Sequence, residues 1–117
     1  MAPPPVQITH LIIAIIQGDD QRAVLDGLNR RSFSATVVSS TGGFLRQGNA
    51  TVLVGTNEAS VNTVLTIIRE NARTRTHVVN ALPSIIEPAA FFSPQPVEVE
   101  VGGAVCFVVR VDRFERF

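Results

Sequence analysis

The stretch His10-Leu-Ile-Ile-Ala-Ile-Ile-Gln17 is rich in β-branched residues and apolar at both odd and even positions. This pattern predicts a strand that is covered on both faces. The segment that follows contains Asp19 and Asp20, two candidate N-cap residues, and continues to Arg31 with the period of an amphipathic helix. The predicted core therefore opens with a strand and a helix.

Two further strands and a second helix are predicted from similar patterns. Residues 33–38 alternate in polarity, and residues 50–55 form another apolar run, so each segment is typical of a strand. Asn57 is a candidate cap for the second helix. The apolar residues of that helix, three and four positions apart, are Val61, Val64, Leu65, Ile68 and Ala72.

The C-terminal third predicts more extended structure, beginning with a short piece at 77–80. Valines and glutamates alternate in 97–101, Gly102-Gly103 forms a turn, and 104–111 is again apolar, so we expect a terminal hairpin. The whole order predicts an α+β fold of the ferredoxin-like, split βαβ type, with two helices on one face of an antiparallel sheet. The other face would be apolar, which favours an oligomer formed sheet to sheet.

Length and composition limit the class of protein. The 117 residues are 45% hydrophobic and 17% charged, which suits one folded domain and not an intrinsically disordered chain. We expect that domain at 8–117, after a flexible, proline-containing tail at 1–7. Ten acidic and ten basic residues cancel, which disfavours binding to DNA or RNA. All ten basic residues are arginine, which excludes lysine Schiff-base chemistry and a Walker lysine.

Two features bear on where the protein works. The longest apolar run, 11–16, is far shorter than the roughly 20 residues that cross a bilayer. The single Cys106 cannot form an internal disulfide, which fits a reducing compartment. We therefore expect a cytoplasmic protein that does not span a membrane.

The loop Thr41–Asn49 is the first candidate site, because its nine residues exceed the usual hairpin connection of about 2–5 residues. Gly42 and Gly43 would let backbone N–H groups approach an anion, and Phe44 would stack on a base. The polar side chains of this loop are Thr41, Arg46 and Asn49. The pattern is typical of a nucleotide-binding loop, and a flexible hairpin tip is an equally open interpretation.

The second candidate is the long connection 81–96, which contains four prolines. Its apolar residues, among them Phe91 and Phe92, disfavour simple disorder. The segment is interpreted either as a flap over a ligand or partner, or as apolar chain packed back on the domain.

The remaining chemically active residues do not predict catalysis. Glu98 and Glu100 share one face of a strand, but no histidine or aspartate accompanies them, so we interpret them as a solvated or arginine-paired face. His10 and His77 are too few for a metal site. Cys106 lies in an apolar strand and is interpreted as a core residue. We expect no enzyme, no metal and no cofactor.

Several stretches resemble one known family. The loop 41–49 and the segment 97–104 are similar to signature stretches of the cyclic-di-AMP receptor family, which consists of PII-like signal-transduction proteins. The stretches 11–17 and 111–117 resemble this family as well, so the similarity covers the chain after the tail. The resemblance implies a homotrimer that binds cyclic-di-AMP in clefts between subunits, orders the 41–49 and 81–96 loops on binding, and signals to an unidentified protein target.

The resemblance also implies which residues hold the ligand. Phe44 and Leu45 would lie against an adenine, while Thr36 and Asn49 would hydrogen-bond to phosphate or base. The complete predicted set is Ser34, Thr36, Thr41, Gly42, Gly43, Phe44, Leu45, Arg46, Asn49, Gly55 and Arg116.

Three positions depart from the family pattern and keep alternatives open. Members usually carry Asn and Arg where this chain has Ser32 and Ser34, and Gln where it has Arg116. The first alternative is a divergent PII-like protein that binds a different adenine nucleotide or no small ligand. The others are a small enzyme that uses Glu98 and Glu100, and a purely structural subunit.

Overall fold

The computed structural model describes residues 7–39, 48–81 and 95–117. The helices are α1 (Gln21–Arg30) and α2 (Val61–Asn71), and the strands are β1 (His10–Gln17), β2 (Ala35–Ser39), β3 (Asn49–Thr56), β4 (Arg75–Ala81), β5 (Gln95–Val101) and β6 (Ala104–Arg110). Neither helix is long and apolar enough to reach across a membrane, and the same holds throughout the described segments.

Four strands form one antiparallel sheet in the order β2-β3-β1-β6, and β4 pairs with β5 in a separate two-stranded sheet. The two helices pack on one face of the larger sheet. The buried hydrophobic residues between them are Ile12, Ala14, Ile16, Val24, Leu28, Ala50, Val52, Val54, Val64, Ile67, Ile68 and Ala72. This architecture confirms the expected ferredoxin-like α+β fold.

The predicted terminal hairpin is wrong. Strand β5 pairs with β4, and β6 pairs with β1. Gly102 and Gly103, with φ of 83° and 85°, turn the chain as expected, but the turn carries it from one sheet to the other. The error has a physical cause, because alternation and turn residues indicate where strands lie in the sequence but not which strands pair with each other.

The larger sheet leaves one apolar face open in the single chain. Odd-numbered residues of β1 and β6 point away from the helices, and Val105, Phe107 and Val109 are 57%, 52% and 44% exposed. Their apolar neighbours on the same face are Leu11, Ile13, Ile15 and Leu53. The uncovered apolar face expected from the sequence is therefore present.

The end of α1 differs slightly from the prediction. The helix ends at Arg30, where the N–H of Phe33 donates to the carbonyl of Leu28 at 2.9 Å and that of Ser32 donates to Asn29 at 3.0 Å. These two bonds form a Schellman motif, and Ser32 takes the left-handed conformation (φ 63°) that it requires. Strand β2 consequently begins at Ala35 and not at residue 33.

The predicted caps were right for one helix only. The side chain of Asn57 accepts a hydrogen bond from the N–H of Ser60 at 3.0 Å and so caps the turn that leads into α2. Asp20 occupies the N-cap position of α1 but makes no side-chain cap bond. Its carboxylate instead accepts hydrogen bonds from Arg75, which a local sequence pattern does not reveal.

Candidate functional site

Only part of the predicted site falls within the described structure. The described members are Ser34, Thr36, Asn49, Gly55 and Arg116. The members that lie outside the described residues are Thr41, Gly42, Gly43, Phe44, Leu45 and Arg46. The connection 82–94 also lies outside them, so the predicted flap stays a prediction.

Asn49 lies in a groove at one end of the larger sheet. The groove has a volume of about 400 Å³, which is within the usual range for small-ligand pockets. It lies where β1 ends and β3 begins, next to the point at which the 41–49 loop joins the sheet. Its polar groups come from Gln17, Asn49 and Thr74, together with the backbone of Gly102 and Gly103.

A hydrogen bond crosses this groove and connects the two sheets. Gln17 pairs with Asn49 in the β1–β3 ladder, and its side-chain oxygen accepts the N–H of Gly102 at 2.8 Å. Next to it, the N–H of Gly18 donates to the carbonyl of Gly48. Gln17 and the Gly102–Gly103 backbone were not predicted as groove residues, because strand register and a hydrogen bond between distant segments place residues 17, 49 and 102 together.

Thr36, Gly55 and Ser34 lie towards the opposite end of the sheet. Thr36 is exposed and pairs with Leu53, so it shares the open face with Gly55 two residues further along β3. Ser34 is exposed and precedes β2. Gly55 also has a structural role, since a Cβ atom there would approach Ile8 Cγ2 to 3.2 Å.

The described members of the predicted site thus lie at two separate places in one chain. Asn49 and Gly55 are six residues apart on β3, which corresponds to about 20 Å of strand. Arg116 is exposed in the segment after β6, and β6 ends beside His10, at the Gly55 end of the sheet. A single chain therefore does not bring Asn49 together with Gly55 or Thr36.

The two-stranded sheet is anchored to the larger one beside the groove. Arg75, the first residue of β4, donates to both carboxylate oxygens of Asp20 at 2.8 and 3.3 Å. Asp20 is only 5% exposed, and the hydrogen bond to it raises the pKa of the Arg75 guanidinium. A further bond joins the N–H of Gly103 to the carbonyl of Ala72. These contacts fix the base of the β4–β5 pair against the end of the sheet.

The described part of the chain contains no candidate metal site and a single thiol. Within ranges 7–39, 48–81 and 95–117, no three His, Cys, Asp or Glu residues lie together in a way that could hold a metal ion. Glu98 and Glu100 are exposed on β5. Cys106 is partly buried on β6, and burial raises the pKa of its thiol, which favours the unreactive protonated form.

Comparisons with known proteins agree with the fold and identify a family. A solved structure of a functionally unknown protein from Pediococcus pentosaceus is 38% identical to this chain, with a TM-score of 0.71, and the match covers 94% of this chain and 98% of that one. A nitrogen regulatory PII-like protein from Thiomonas intermedia, solved with ADP, AMP and bicarbonate, is 14% identical with a TM-score of 0.46 over 95% and 100%. The identity and TM-score of this second match are too low to support an argument.

The family comparison covers nearly the whole chain. Residues 9–117 match the family described as cyclic-di-AMP receptor. The match includes all the strands and helices of the larger sheet, the groove at Asn49 and the β4–β5 pair. The chain belongs to the cyclic-di-AMP receptor family.

Proposed function

We propose that this protein is a cytoplasmic, PII-like signal-transduction receptor that binds cyclic-di-AMP in clefts between the subunits of a homotrimer. The family match over residues 9–117 is the observation that carries the proposal. The protein would act without catalysis and without a cofactor or metal. Binding would order the 41–49 and 81–96 loops, and the ordered loops would present a surface to a downstream protein.

The open face of the larger sheet supports assembly. Val105, Phe107 and Val109 expose half of their surface or nearly so in a single chain, and they lie side by side with the apolar residues of β1. A contiguous apolar face of this kind marks an interaction surface in a soluble protein. Packing of sheet faces from several copies would remove it from water.

The separation of the predicted ligand-binding residues supports a site shared by two subunits. Asn49 and Gly55 are about 20 Å apart along β3 in one chain. A cleft between subunits would bring the Asn49 end of one copy next to the Thr36 and Gly55 end of its neighbour. The ligand would then contact the 41–49 loop of one copy and the second strand of the other.

Isothermal titration calorimetry of the purified protein, with its mass measured by light scattering, tests the proposal. We expect heat with cyclic-di-AMP, one ligand per chain, and none with cyclic-di-GMP at the same concentration. Asn49→Ala should weaken binding about tenfold, since a hydrogen bond to a charged group contributes about 1.5 kcal/mol. The matched control is Asn62→Ala, on the exposed face of α2. Absence of heat at high micromolar cyclic-di-AMP with folded trimer would refute the ligand assignment.

A second candidate function is a divergent receptor for another adenine nucleotide, or a member that has lost its ligand. Ser32 and Ser34 favour it, because Ser32 forms the Schellman turn of α1 and Ser34 offers only a short hydroxyl before β2. A thermal-shift panel of AMP, ADP, ATP and cyclic-di-AMP separates the candidates. A true ligand at 100 times its dissociation constant stabilises the fold by about 2.7 kcal/mol.

A further inference from the structure

The edge of β6 has the features of a strand-binding surface. Strand β6 is the last strand of the larger sheet, and among the described residues no strand pairs with its outer edge. A free edge presents unpaired N–H and C=O groups that readily accept another strand. The residues of β6 are mostly exposed on both sides of the strand, which adds to the surface available there.

Helix α2 overhangs this edge and forms a pocket beside it. The pocket has a volume of about 360 Å³, and Ile68, Ala72 and Cys106 contribute to its apolar lining. Two exposed arginines lie at the same pocket, Arg69 in the last turn of α2 and Arg73 two residues after the end of that helix. Neither forms an ion pair within the described structure. A strand added to β6 would direct every second side chain into this pocket, toward two positive charges.

Strand β5 has the complementary pattern. Its residues Val97-Glu98-Val99-Glu100-Val101 alternate, so the two carboxylates project from one face and the valines from the other. Val97 and Val99 are 42% and 40% exposed. β5 pairs only with β4 among the described residues, and a two-stranded sheet alone is marginally stable in water. Pro96 lies outside the alternating stretch and leaves it free to donate backbone hydrogen bonds.

The charged residues of β5 and of the pocket are opposite in sign. Glu98 and Glu100 are separated by two residues of strand, about 6.6 Å. Arg69 lies in the last turn of α2 and Arg73 lies just after its end, and both line the same pocket. If the glutamates face these arginines, the valines of β5 continue the open apolar face that Val105 and Phe107 begin.

We propose that strand β5 of a second copy of this chain adds to the free edge of β6, with Glu98 and Glu100 facing Arg69 and Arg73. The pair would lie opposite Ala104 and Cys106, which line the same pocket as the arginines. The contact extends the larger sheet from one copy into the next and stabilises the β4–β5 pair of the neighbour. It rests on the assembly of copies in the proposed function and is independent of the ligand.

Disulfide cross-linking to the native Cys106 tests this contact. The variants E98C and E100C each place a thiol on the pocket-facing side of β5, and V99C, on the opposite side, is the matched control. Directly paired residues of neighbouring strands are close enough for a disulfide. Mild oxidation followed by a non-reducing gel should give a cross-linked dimer with E98C if the strands are antiparallel, or with E100C if they are parallel, and none with V99C. Each cross-link should disappear when Cys106→Ala is added.

A charge swap tests the role of the ion pairs. In the variant that cross-links, adding R69E and R73E should suppress the dimer, and reversing the remaining glutamate to arginine should restore it. Failure of both E98C and E100C to cross-link, or equal cross-linking by V99C, would overturn the proposal. Light scattering and calorimetry on the same proteins separate the two proposals. A trimer that binds cyclic-di-AMP but does not cross-link would overturn only the strand contact. A trimer that cross-links but gives no heat with cyclic-di-AMP would overturn only the ligand assignment.

Discussion

Replacement of Gly102 by alanine should destabilise the protein through two effects with different origins. Gly102 has φ 83°, a left-handed conformation that costs other residues about 1–2 kcal/mol. Part of this cost is offset because alanine has less freedom in the unfolded chain, by about 0.5–1 kcal/mol. The added Cβ would also approach the backbone carbonyl oxygen of Arg73 more closely than any real contact allows. Overpacking against a backbone atom costs about 1–3 kcal/mol.

The sum predicts a loss of about 1–4 kcal/mol of unfolding free energy for Gly102→Ala, or a fall in Tm of about 4–16 °C for a domain of this size. Gly48→Ala is the control, since Gly48 has φ 94° and a Cβ there would meet no described atom within 4 Å. It should lose only the conformational part, about 0.5–1 kcal/mol, and less than Gly102→Ala. Urea unfolding at fixed protein concentration measures both. Equal losses in the two variants would refute the steric argument and imply that the turn at Gly102 relaxes freely.

Three further predictions concern other parts of the molecule. Ser32→Gly should raise the unfolding free energy by about 0.5 kcal/mol, because glycine adopts the left-handed turn without strain; a loss of stability in urea unfolding would contradict this. Phe107→Glu should give a folded monomer by light scattering, because it puts a charge on the open apolar face, whereas Thr66→Glu on exposed α2 should leave the mass unchanged. Cys106 should react with iodoacetamide at pH 8 more slowly in the native protein than in urea, because burial raises the pKa of its thiol. Because the native state holds the thiol proton more tightly than the unfolded state does, the contribution of this thiol to stability is complete at neutral pH and decreases as the pH rises above about 8.5. Equal alkylation rates in the native and unfolded protein would show that the thiol is not protected.

Local patterns were sufficient for most of the secondary structure. The β-branched stretch His10–Gln17 forms a strand with the predicted bounds, because β-branched residues favour a strand. In the single chain only its even-numbered face is buried, so the predicted cover on both faces is not present there. The helix predicted after Asn57 also forms. Its buried face includes Ile67, which was not among the residues predicted for that face. Within these segments, neighbouring residues alone determine the period and therefore the structure.

Pairing and charge contacts depended on the tertiary structure. The alternation at 97–101 indicates a strand equally well beside β4 or β6, and only packing of the whole chain selects β4. Asp20 was expected to cap α1, but its carboxylate binds Arg75 instead. Arg75 is 55 residues away in sequence, so a local pattern does not indicate this contact.

The candidate site shows the same division. From sequence, the resemblance identified Asn49, Thr36 and Gly55 as one group, whereas strand β3 holds Asn49 and Gly55 about 20 Å apart. The order of strands and helices follows from short-range periodicity, which each segment carries by itself. Which residues meet across the Asn49 groove follows from register and from contacts between distant segments, and these form only when the whole chain packs.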